Sequence, residues 1–61
     1  MEKKTYTNGK ETKKMEIWDT GFFFCFGEEN CGEDVEFTAE DRRALGFKIM
    51  AWMDENNMRE I

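Results

Sequence analysis

Residues 15–26 read Met15-Glu16-Ile17-Trp18-Asp19-Thr20-Gly21-Phe22-Phe23-Phe24-Cys25-Phe26, two apolar runs around a polar turn. Met15 to Trp18 form one strand, Asp19 to Gly21 turn the chain, and Phe22 to Phe26 form a second strand rich in β-favouring aromatics. The two strands pair as a hairpin. Side chains alternate between faces, so Phe22, Phe24 and Phe26 lie on one side and Phe23 and Cys25 on the other. The next stretch, from Gly27 to Asp34, combines Gly27, Asn30 and Gly32 with four carboxylates and reads as a loop. Val35, Glu36 and Phe37 then alternate apolar, polar, apolar, which predicts a further short strand.

Thr38 offers an N-cap hydroxyl, and Glu40 and Asp41 follow where carboxylates complement the helix dipole. A helix is predicted from about Ala39 to Asn56 or Asn57, the asparagines marking its end. On the N-terminal side, Asn8-Gly9 is a strong hairpin dipeptide because both residues tolerate the positive φ of a type I′ turn. Its flanks carry one large apolar side chain, Tyr6, so residues 1–14 are expected to be a basic polar hairpin or a flexible arm. The fold class is therefore α+β. A small antiparallel sheet of three to four strands, over about residues 3–37, packs on one C-terminal helix, about 39–57, and residues 15–61 form a single domain.

A 61-residue chain buries only about 60% of the surface its unfolded form exposes. Such a core rarely supplies more than roughly 3–5 kcal/mol, so a disulfide, a metal or a partner chain is expected to reinforce it. Six Phe, two Trp and one Tyr argue against disorder. Charge is unevenly divided. Residues 1–14 hold five lysines against two glutamates, a net of +3, whereas the rest holds twelve carboxylates against four cations, a net of −8. A body of that sign repels a phosphate backbone, so direct nucleic-acid binding is disfavoured outside the basic N-terminal segment. No apolar run approaches the roughly 18 residues of a membrane span, and no signal-peptide pattern is present. A cytoplasmic, soluble protein is expected.

Both elements are apolar on two sides. Leu45, Ile49, Trp52 and Met53 make one helical stripe at about 100° per residue, with Gly46 beside it. Glycine there costs about 1 kcal/mol relative to alanine, a cost usually tolerated where another backbone comes close. Phe47, Ala51 and Met58 gather on the opposite side, with Met50 on the flank. On the sheet, Phe23 and the neighbouring Trp18 supply the second apolar face. A two-layer domain buries one face of each element, and soluble monomers seldom expose large apolar patches. The remaining faces predict a homodimer, or a partner, engaging Phe47, Met50, Ala51, Met58, Trp18 and Phe23.

The chain lacks His and Ser. That removes the commonest general base, the imidazole metal ligand and any serine nucleophile, so no enzymatic activity is expected. Cys25 and Cys31 have C-x5-C spacing, unlike zinc ribbons or thioredoxin-type redox sites. Cys25 sits among phenylalanines and Cys31 among carboxylates, surroundings that raise a thiol pKa. They read as free structural thiols, with no metal and no cofactor expected. A zinc site would need carboxylates or a second chain's cysteines, and a disulfide would need the Cα atoms within about 7 Å. No phosphate-binding glycine pattern occurs. Glu28, Glu29, Glu33, Asp34 and Glu36 instead form an anionic surface suited to a basic groove on another protein.

In size, charge and lack of catalytic groups, though in no motif, the chain is similar to the short acidic inhibitors that bacteriophages and mobile elements direct at host enzymes. Anti-CRISPR and other anti-defence proteins are among them. That likeness implies a non-enzymatic inhibitor of a nucleic-acid-handling or defence protein; with the dimer that the second apolar faces predict, the expectation is a homodimeric protein-binding inhibitor or adaptor. The alternatives are a small nucleic-acid-associated regulator with a basic N-terminal arm and a cysteine-based metal or redox module.

Overall fold

The computed structural model describes residues 1–27 and 31–61, Glu33 through its backbone. The fold is α+β, as the residue pattern predicts, with a larger sheet. Strands β1 (Glu2–Thr7), β2 (Thr12–Ile17), β3 (Gly21–Cys25) and β4 (Cys31–Thr38) precede helix α1 (Arg42–Asn56) and strand β5 (Arg59–Glu60). Among the described residues the sheet has five strands rather than three to four, in the order β4-β3-β2-β1-β5, and every neighbouring pair is antiparallel. The extra strand is β5, which pairs with Tyr6 and Thr7 beyond β1.

Helix length and sheet width match. Fifteen helical residues span about 22 Å, and the four strand spacings from β4 to β5 span about 19 Å. The helix thus leaves one edge of the sheet and delivers the chain to the other. Leu45, Ile49 and Trp52 point inward and meet Tyr6, Met15, Ile17 and Phe22. Phe22 is the hub of the rings: it stacks on Phe37 at 4.9 Å and meets Trp52 edge-on at 5.3 Å and Tyr6 at 5.9 Å. Such geometries suit the ring quadrupole.

The basic hairpin lies inside the sheet, because β1 pairs with β2 on one side and β5 on the other. Its turn differs from the type I′ expectation. Gly9 alone takes positive φ, 86°. Asn8 instead accepts the backbone N–H groups of Lys10 and Glu11 through Oδ1, both at 2.9 Å, a local bond that organises a longer loop. Its Nδ2 donates to the Asn56 carbonyl at 3.2 Å and so fastens the turn to the helix end.

The helix begins three residues later than expected. Thr38 and Ala39 are taken by the sheet: Thr38 pairs with Gly21, and the Ala39 N–H donates to the Thr20 carbonyl at 2.9 Å. Asp41 becomes the N-cap, its carboxylate accepting from the Ala44 N–H at 2.8 Å. At the far end Asn57 adopts the left-handed conformation, φ 55° and ψ 33°, and the Met58 N–H reaches the Met53 carbonyl at 2.8 Å. This closure satisfies the final carbonyls and turns Met58 into the core. Asp41→Ala is expected to cost about 1 kcal/mol by urea denaturation, whereas Thr38→Ala should leave the helix cap unaffected. Equal losses would return the cap to Thr38.

Candidate functional site

Three surfaces face outward. The first is β4, an edge strand whose outer backbone groups have no strand beside them among the described residues. Asp34, Val35 and Glu36 are exposed along it, Val35 at 52%. Irregularities break the β3–β4 register between Phe22 and Phe23 and again between Phe24 and Cys25. Bulges and charge on an edge discourage pairing with a second copy of the same edge. Of the five acidic residues expected to recognise a partner, Asp34 and Glu36 are thus on this edge. Glu28 and Glu29 lie outside the described residues, as does the side chain of Glu33.

The second surface is the outer face of α1. Phe47 and Met50 are 63% and 67% exposed. They are three residues apart, hence neighbours on the helix surface, and exposed Ala51 lies one turn beyond Phe47. Met58 is not part of this surface. Asn57 reverses the chain, so Met58 leaves the helical path and is buried. Beside Phe47 and Met50 runs a cleft bordered by Tyr6, Arg42 and Gly46. A Cβ on Gly46 would meet only the Arg42 guanidinium, at 3.3 Å, so no backbone crosses there. The glycine leaves the cleft open instead.

Ion pairs border the same cleft. Lys4 bonds Glu60 at 2.8 Å, and Glu2 lies 3.7 Å from both Lys4 and Arg42. The hydrogen bond to the Glu60 carboxylate holds the Lys4 ammonium above the usual lysine pKa, and burial pushes the Tyr6 phenol up. Both groups therefore keep their protons at neutral pH and above.

The third surface is the sheet face away from the helix. Register places Lys3, Thr5, Lys14, Glu16, Phe23 and Cys25 on it together. Trp18 is partly exposed there and meets Phe23 edge-on at 6.3 Å, with Val35 opposite Phe23. Glu16, which the strand pattern assigns to solvent, is only 4% exposed and accepts the Trp18 indole N–H at 2.5 Å. Cys25 and Cys31 stand opposite each other across β3 and β4, Cα atoms 3.8 Å apart, with their sulfurs bonded. They are paired rather than free because the hairpin folds the chain back on itself at that register. Glu16 is the residue that sequence reasoning missed; the only local hint was its proximity to Trp18.

No helix of the described residues is long and apolar enough to cross a membrane. Compared with protein-family models, with curated proteins and with solved structures, the chain matches none. The class of protein is therefore defined by its surfaces: a small α+β domain with an acidic edge, an apolar helix face and a mixed open sheet face.

Proposed function

We propose that this chain is a non-enzymatic protein-binding module that acts as a homodimer. It pairs through the Phe47, Met50 and Ala51 face and presents the acidic β4 edge to a partner with a basic surface. The observation that carries the reading is the exposed row Asp34-Val35-Glu36 on an edge strand whose outer side has no strand beside it among the described residues. An edge supplies backbone donors and acceptors for strand addition, and alternate side chains supply selectivity. Carboxylates at that position attract a cationic strand or groove and accelerate encounter. They also repel a second acidic edge, which leaves the helix face as the better surface for self-association.

A partner that handles nucleic acid has the required basic groove, and an acidic edge lodged there competes with phosphate. An inhibitor of a host nucleic-acid-handling or defence protein, of the kind carried by bacteriophages and mobile elements, fits this chemistry. The test is retention of such proteins from a bacterial lysate on the immobilised chain, at low and at physiological salt. Asp34→Asn combined with Glu36→Gln is expected to lower retention, chiefly at low salt where charge is least screened. The same bound proteins and the same salt response for wild type and variant would remove the acidic edge from the mechanism.

A further inference from the structure

We propose that, when the Cys25–Cys31 bond is reduced, Glu16, Cys25 and Cys31 form a three-ligand site for a thiophilic divalent cation such as zinc. One donor atom from each of these residues lies within 4.8 Å of the other two. Zinc takes sulfur at about 2.3 Å and carboxylate oxygen at about 2.0–2.2 Å, so tetrahedral ligands sit about 3.5–3.8 Å from one another. Once the sulfur–sulfur bond is broken the two sulfurs can spread, and side-chain adjustment brings the three donors to that spacing around an ion.

Three further features suit the site to an ion. Glu16 is 4% exposed, and a carboxylate withdrawn from water needs compensating positive charge or several donors. Trp18 supplies one donor, to Oε1 at 2.5 Å. That bond orients the carboxylate in the way an outer partner orients a metal ligand, and leaves the second oxygen for the ion. At Gly32, with φ 85°, a Cβ would come within 3.0 Å of Glu16 Oε1 and 3.8 Å of Trp18 Nε1. Any side chain there would press on the carboxylate, whereas glycine lets the β4 backbone pass behind it.

Two thiolates and a carboxylate favour zinc-like ions over magnesium or calcium, which prefer all-oxygen shells. Together they bring three negative charges to a divalent ion, and Lys3 and Lys14 on the same face offset the excess. Three protein ligands leave the fourth tetrahedral position to water. The chemistry balances with a dithiol reductant, which gives two electrons and two protons to the sulfur–sulfur bond and itself becomes a disulfide. The resulting thiols lose those two protons when the cation binds. Disulfide and cation are therefore mutually exclusive occupants.

Cobalt(II) serves as the probe, because thiolate ligation gives it an intense sulfur-to-metal charge-transfer band. The reduced full chain is expected to bind one cobalt per chain, displaced by zinc, and the oxidised chain none. Cys25→Ala and Cys31→Ala should abolish the band, and Glu16→Gln should weaken affinity by about tenfold or more. X-ray absorption of the zinc form of the wild type should show two sulfurs and the remaining ligands light, a readout that needs no variant to fold. No cobalt uptake by the reduced chain, equal uptake by the oxidised chain, or four sulfurs around an ion shared by two chains would each overturn the site. So would unchanged affinity in a folded Glu16→Gln.

Discussion

Phe22→Ala is expected to abolish the cooperative unfolding transition at 25 °C. Phe22 is fully buried and its ring meets Tyr6, Phe37 and Trp52. Truncating a buried phenylalanine costs about 3–5 kcal/mol. At about 0.05–0.15 kcal/mol per residue, 61 residues provide about 3–9 kcal/mol in all. The loss is thus comparable with the whole stability of the domain. Far-ultraviolet circular dichroism and tryptophan emission during a thermal melt check it, and the variant should show neither transition. Phe26→Ala is the control: that ring is exposed, and its loss should change stability by about 0.5 kcal/mol or less. A cooperative Phe22→Ala melt close to wild type would mean that the ring cluster is not the core.

Removal of residues 1–14 is expected to be as severe. The cut deletes β1 and the first half of β2, takes Tyr6 from the core, and leaves β5 without the strand it pairs with. A truncated chain should show collapsed amide dispersion by NMR. Retained dispersion would mean that residues 15–61 fold without β1. Deletion therefore cannot report on the basic charge by itself. Substituting Lys3 and Lys14 with Gln removes charge from the open face and leaves the strands in place, so it is the suitable comparison for nucleic-acid affinity.

The hairpin of residues 15–26 and the helix were legible because their apolar spacing carries the period of each element. Asn57 was legible as a helix end because asparagine tolerates the left-handed conformation it adopts. The helix start was not, since Thr38 and Asp41 are both good caps and only pairing with Gly21 decides between them. Strand β5 had no local signal at all: Arg59 and Glu60 become strand residues because α1 sets them down beside β1. The same holds for Glu16. Alternation places it opposite Met15 and Ile17, and its burial depends on Gly32 and Trp18 reaching it from β4 and the β2 end. Phe47, Met50 and Ala51 were readable as an outward stripe, while Met58 fell on that stripe only for a helix that continued past Asn57.

Solution mass by multi-angle light scattering over a range of concentrations, for wild type and Phe47→Glu, decides whether the Phe47, Met50 and Ala51 face of the helix joins two chains. A dimer through that face has a wild-type mass twice that of the 7.3 kDa chain and a Phe47→Glu variant of single-chain mass with unchanged circular dichroism. A wild-type chain that stays monomeric at every concentration, or a dimer that Phe47→Glu leaves intact, would contradict it.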